Sequence, residues 1–152
     1  MKIIATLIAV CLFTSAAFCQ KKNTDYDSIL AKKFGADDYG MKKYVLVILK
    51  TGTNTTEDKK LKDSLFTGHM NNIIHMVKIN KLVVSGPISK NEKTYRGIFI
   101  LNVSTFEEAE KLLENDPAIK EKLLAAEFYS WYGSAALPSY LEASDKVRKL
   151  DF

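Results

Sequence analysis

Apolar and polar positions along this chain change period several times, and each change marks an element. Tyr44-Val45-Leu46-Val47-Ile48-Leu49, framed by Lys43 and Lys50, is a continuous and largely β-branched run closed by Thr51-Gly52-Thr53-Asn54. That pattern predicts a strand buried on both faces over residues 43–50. Over residues 57–80 the period becomes helical, with Leu65, Phe66, Met70, Ile73, Met76 and Val77 on one arc. A second strand follows over 81–88, stopped by Gly86-Pro87, and a third over 95–103, joined to it through the polar turn Ser89-Lys90-Asn91-Glu92-Lys93. Ser104-Thr105-Phe106-Glu107 has the spacing of a capping box, with the Ser104 hydroxyl as acceptor and Glu107 reaching back. A helix over 105–114 is expected from it, burying Phe106, Ala109, Leu112 and Leu113. Asn115-Asp116-Pro117 interrupts that helix, because the residue before proline is pushed out of the helical region, and a short helix resumes at Pro117. Residues 127–133 read as a fourth strand and 139–149 as a C-terminal helix that the core pattern does not require.

The order β-α-β-β-α-β predicts an α+β protein: a ferredoxin-like, four-stranded antiparallel sheet with helices on one face and an extra C-terminal helix. Alternate residues on both sides of the strands are apolar, so the sheet's second face also needs a cover. A second copy of the chain supplies it most simply, which predicts a homodimer of the dimeric α/β-barrel kind. The domain is expected to span 43–137, preceded by a polar, irregular leader over 20–42 and followed by a helical extension over 138–152.

Residues 1–19 stand apart from this pattern. Lys2 is followed by an apolar run to Phe18, and Ala17 and Cys19 put small residues at a cleavage point before Gln20. This is the layout of a secretory signal peptide, too short for a comfortable membrane span. It predicts an exported protein, periplasmic or secreted, with no membrane association unless Cys19 is lipidated. Both cysteines, Cys11 and Cys19, lie in this segment, so the exported chain would have no disulfide, thiol nucleophile or cysteine metal cluster. The formal charge of +4 is spread over isolated pairs such as Lys32-Lys33, Lys42-Lys43 and Lys59-Lys60. No basic stripe results, and nucleic acid is not an expected partner.

Candidate chemistry narrows to the helix carrying both histidines. His69 lies with the apolar stripe, whereas His75 falls on the far side with Asn71, Asn72 and Lys78 and is expected in solvent. Their spacing of six residues does not match the i, i+4 pair of a helical metal site, and neither a metal nor a cofactor is expected. His69 is either a core-edge histidine with a satisfied hydrogen bond or a general acid/base, since imidazole titrates near neutral pH. Asp116 is its candidate partner, and is equally placed to cap the helix beginning at Pro117. No Gly-x-Ser-x-Gly elbow, P-loop or Gly-x-Gly-x-x-Gly is present.

His69, the run Lys81-Leu82-Val83-Val84-Ser85-Gly86-Pro87 and the later Glu114-Asn115-Asp116-Pro117, in this order, resemble the YCII-related domain family. The similarity runs over residues 43–136. The family is similar to muconolactone isomerase-like dimeric α+β barrels, and its members carry a histidine and an aspartate proposed to form an active-site dyad. The resemblance therefore implies a catalytic pair, His69 and Asp116. It also implies a cofactor-free isomerase or lyase, a dehydrochlorinase for instance, acting on an unknown small molecule. Trp131, Tyr129 and Arg96 are candidates for the pocket around the pair. The alternative is a non-catalytic envelope module that binds a small ligand or dimerises. Ala118-Ile119-Lys120-Glu121-Lys122 departs from the family, which often has glycine shortly after Asp-Pro.

Overall fold

The computed structural model describes residues 23–150; the segment read as a signal peptide lies outside the described residues. A first helix, α1 (Ser28–Phe34), precedes strand β1 (Met41–Thr51) and the long helix α2 (Lys59–Lys78). The hairpin β2 (Leu82–Pro87) and β3 (Tyr95–Leu101) leads to α3 (Phe106–Leu113), the single turn α4 (Pro117–Lys120) and β4 (Leu124–Ser134). A 3-10 turn (Leu137–Tyr140) and α5 (Leu141–Val147) close the described chain. The sheet is antiparallel throughout in the order β2-β3-β1-β4, which is the predicted ferredoxin-like α+β arrangement.

Register decides which residues share a face. Val47 lies opposite Phe99 on β3 and Phe128 on β4, and with Val45, Leu49 and Leu101 these point to the helices. Leu65 and Met76 of α2 and Ala109 and Leu113 of α3 complete one continuous core with them. Tyr44, Leu46, Ile48 and Lys50 alternate with these residues and point to the other face, opposite Trp131, Tyr129, Glu127 and Ala125 of β4. Tyr44 is fully buried on that face: the Trp131 ring lies beside it with ring centroids 5.5 Å apart, and the Tyr44 hydroxyl donates to the Ser134 carbonyl at 2.8 Å. Lys50 and Glu127 pair on the same face at 2.6 Å; the hydrogen bond from Lys50 holds the Glu127 carboxyl below its ordinary pKa and raises that of Lys50.

Several expectations are corrected. The polar stretch before the sheet is not wholly irregular. Asp27 accepts from the N–H groups of Ile29 and Leu30, and Gly35, at φ 69°, turns into the left-handed region and closes α1. The cap of α3 lies one residue later than the spacing indicated. Thr105 accepts from the Glu108 N–H at 3.2 Å, and Glu108, not Glu107, reaches back to the Ser104 N–H. Phe106, the first residue of α3, stays 43% exposed rather than buried, with its ring 6.4 Å from that of Phe128. On α2, Phe66 and Val77 remain 36% and 37% exposed. The helix is rolled so that the line Leu65, His69, Asn72 and Met76 faces inward. The C-terminal helix is shorter than predicted, and the Tyr140 hydroxyl before it donates to the Val83 carbonyl, tying this segment to β2 at the opposite edge from β4.

Candidate active site

α2 brings His69 over the middle of the sheet. Asp58 starts the helix by accepting from Lys60 and Leu61 N–H groups, and three turns later His69 lies flat on Phe99 of β3. The two rings are 5.8 Å apart between centroids and inclined by 25°, an offset stack. Phe66, one turn earlier, meets the imidazole edge-on at 6.2 Å. Gly68 sets the distance to the next element. A methyl group there would stand 2.5 Å from Cγ of Pro117, so only glycine lets α4 come this close to α2.

Asp116, fully buried between α3 and α4, divides its carboxylate between two tasks. Oδ1 accepts from the Ala118 N–H at 3.0 Å and the Ile119 N–H at 3.4 Å, capping α4. Oδ2 lies 2.7 Å from Nδ1 of His69. The two sequence readings of Asp116, cap and histidine partner, are thus both realised, one on each oxygen. A carboxylate only accepts, so His69 carries its proton on Nδ1 and, when neutral, leaves the lone pair on Nε2.

Asn72 is a member of the site that the sequence reading assigned to the solvent side. Its Nδ2 donates to Oδ2 of Asp116 at 3.3 Å and to the Leu112 carbonyl at 3.3 Å, joining α2 to α3. The signal was available in its position, one turn after His69, where helical neighbours three apart share a face. With Asn72 included, every donor around Asp116 is an N–H group: an imidazole, an amide and two backbone groups.

His69 is 7% exposed. Its Nε2 has no hydrogen-bond partner among the described residues, where no fully buried side-chain nitrogen or oxygen goes unsatisfied; Nε2 is therefore not fully closed to solvent. His75 is exposed, as expected. Trp131 and Tyr129, candidates for the pocket, are on the opposite face of the sheet from His69. Arg96 lines a separate cavity at the β2–β3 hairpin. The structure therefore brings His69, Asp116 and Asn72 together and leaves those three candidates apart. Among the described residues no three His, Cys, Asp or Glu side chains gather as a metal site. No helix among them is long and apolar enough to cross a membrane.

No family model and no curated sequence matches this chain. Among solved structures it is similar to 5-chloro-2-hydroxyhydroquinone dehydrochlorinase (TftG) from Burkholderia phenoliruptrix AC1100, in complex with 2,5-dihydroxybenzoquinone. The identity is 20% and the TM-score 0.40, over 57% of this chain and 92% of the other.

Proposed function

We propose that the chain is a YCII-like small-molecule enzyme that moves protons without a cofactor, with His69 as the acid/base and Asp116 as the group that orients it. One observation supports this reading above others: the buried 2.7 Å contact between Nδ1 and Oδ2, with Nε2 left unpartnered. In this scheme Asp116 keeps the ring proton on Nδ1, and the Nε2 lone pair takes a proton from an acidic C–H beside a carbonyl. The C–H electrons move into an enolate. Return of the proton from Nε2 to a different carbon completes an isomerisation; departure of a leaving group such as chloride from the adjacent carbon completes an elimination. A positioned base of this kind contributes roughly 100- to 10,000-fold in rate.

The test is a panel of small enolisable ketones and unsaturated lactones in D2O, followed by proton NMR for C–H exchange or isomerisation. Long-range 1H–15N spectra of the histidine rings accompany it. The expected result is turnover of at least one compound, lost in His69→Gln, and an Nδ1–H tautomer in the parent that is no longer held in Asp116→Asn. No exchange above that of His69→Gln, or a ring indifferent to Asp116→Asn, overturns the proposal. A non-catalytic module that binds a small ligand or dimerises is the second reading, favoured by the small exposed area of His69 and by the cap that occupies Oδ1.

The partly exposed apolar residues on the second face of the sheet support a homodimer in the same proposal. Leu46, Ile48, Ile98 and Ile100 are only half-buried there, and Tyr129 is 48% exposed. Sedimentation equilibrium is expected to give twice the monomer mass, and Leu46→Glu to return a folded monomer; a monomeric parent at high micromolar concentration rejects the dimer. Export, to the periplasm or out of the cell, is proposed from the signal-like run ending at Cys19.

A further inference from the structure

We propose that the cavity at the β2–β3 hairpin binds a small organic anion, a carboxylate on an apolar body, through Arg96 and Lys90. The cavity measures about 460 Å³, within the size range of small-molecule sites. None of its lining residues belongs to the His69 site, so the inference does not rest on the proton-transfer reading.

Three features argue for an anion. The first is a β-bulge. On β1, Leu49 faces Gly97 and Lys50 faces Tyr95, so Arg96 is the extra residue with no opposite number. A bulge re-aims the side chain it carries, and such irregularities recur beside binding sites. Here Arg96 lines the cavity while its carbonyl still accepts from the Ile88 N–H at 2.9 Å.

The second feature is charge. Lys90 lines the same cavity, and Lys93 lies over the Tyr95 ring at 5.9 Å. Against these three cations the hairpin carries one carboxylate, Glu92, and neither Arg96 nor Lys90 joins an ion pair among the described residues. Glu127, on the neighbouring sheet face, is already engaged by Lys50.

The third feature is preorganisation. Asn91 donates from Nδ2 to the carbonyls of Ser89 at 2.9 Å and Tyr95 at 2.8 Å, and accepts from the Tyr95 N–H at 3.1 Å. The loop is therefore set before a ligand arrives, which lowers the ordering cost of binding. Thr94, another lining residue, is held at φ 58°, a left-handed conformation that a β-branched residue adopts only under surrounding constraint.

The class of anion follows from the walls. Arginine offers a planar fork that matches a carboxylate, and lysine adds a point charge. Ile88 and Tyr95 supply apolar surface that a bare inorganic anion would leave unused. A benzoate-sized carboxylate fits both requirements.

The experiment titrates the full chain with sodium benzoate at constant ionic strength and follows backbone amides by 1H–15N NMR. Benzyl alcohol serves as the neutral counterpart and inorganic phosphate as the bare anion. Saturable shifts are expected at residues 88–96 with benzoate, with affinity about tenfold weaker or more in Arg96→Gln, since a hydrogen bond to a charged group is lost. Lys90→Gln weakens binding several-fold, and Lys78→Gln, at the last residue of α2, leaves it unchanged. Benzyl alcohol and phosphate each bind about tenfold more weakly than benzoate. Absence of saturation with benzoate, equal binding of benzyl alcohol or phosphate, or full affinity in a folded Arg96→Gln overturns the proposal. Arg96 is exposed, so its substitution leaves the fold intact and the result readable.

Discussion

Asp116→Ala is expected to lower the unfolding free energy by about 3 kcal/mol or more, the largest effect of any single side chain at this site. Two losses combine. Removing Oδ1 frees the N–H groups of Ala118 and Ile119 and uncaps α4, which costs about 1 kcal/mol in typical helices. Removing Oδ2 leaves the His69 Nδ1–H without its acceptor and takes away one acceptor of the Asn72 amide, in a position fully closed to water. A buried donor without an acceptor costs about 1–3 kcal/mol. Asp116→Asn separates these effects. Its amide oxygen can keep the cap, while its NH2 group meets the His69 and Asn72 donors and turns the imidazole to its other tautomer. Urea denaturation of both variants decides the matter. A loss below about 1 kcal/mol in Asp116→Ala shows that the carboxylate is not structural, contrary to the double hydrogen-bonding described above.

Gly68→Ala is expected to destabilise by about 1–3 kcal/mol, as overpacking does. The sign is informative, because glycine inside a helix normally costs about 1 kcal/mol relative to alanine, and the same change at an ordinary helical position stabilises. Here the new methyl group would stand 2.5 Å from Cγ and 3.2 Å from Cβ of Pro117. The proline ring is stiff and its neighbour Asp116 is held by the cap, so α2 and α4 must separate. The separation falls between His69 and Asp116, the residues adjoining each side of the contact. The histidine ring nitrogens in a long-range 1H–15N spectrum should therefore change together with stability. A stabilised Gly68→Ala protein would show that the two elements are not in close contact.

The fold was legible because its core depends on period. The β-branched run at Val45-Leu46-Val47-Ile48 and the capping and proline signals around Ser104 and Pro117 are local, and each gave its element, the cap of α3 displaced by one residue. The start of β4 was not legible in the same way. Leu123-Leu124-Ala125-Ala126 follows a short helix and consists of good helix formers, yet Leu124, Ala125 and Ala126 pair with Thr51, Lys50 and Leu49 of β1. Pairing across the sheet overrides the local preference, and nothing within those residues announces it. The site divides similarly. His69 and Asp116 stood out by residue type and position, but their meeting depends on the roll of α2 about its own axis. That roll, which goes with the close approach of α4 at Gly68, also turned Asn72 inward. On a helical wheel of about 100° per residue Asn72 falls only about 20° from Leu65, at the edge of the apolar arc, so a small roll is enough to bring it inward. Polar residues that face inward to meet each other carry no hydrophobic signal, so the third member of the cluster was the one missed.

The division of the Asp116 carboxylate between a helix cap and an imidazole has a consequence for tracing this site through other sequences. An Asp-Pro pair at this point is retained by any descendant that needs α4, whether or not it performs chemistry, so its presence says little about activity. On the proton-transfer reading proposed above, the histidine would be under the opposite kind of selection. A lineage can replace His69 and keep the cap, losing its proton acceptor while remaining folded. Loss of the aspartate removes both at once. Decay of function in such a lineage would therefore begin at the histidine, and the ratio of Asp-Pro-only chains to chains holding both residues would record how often the scaffold has been kept for another use.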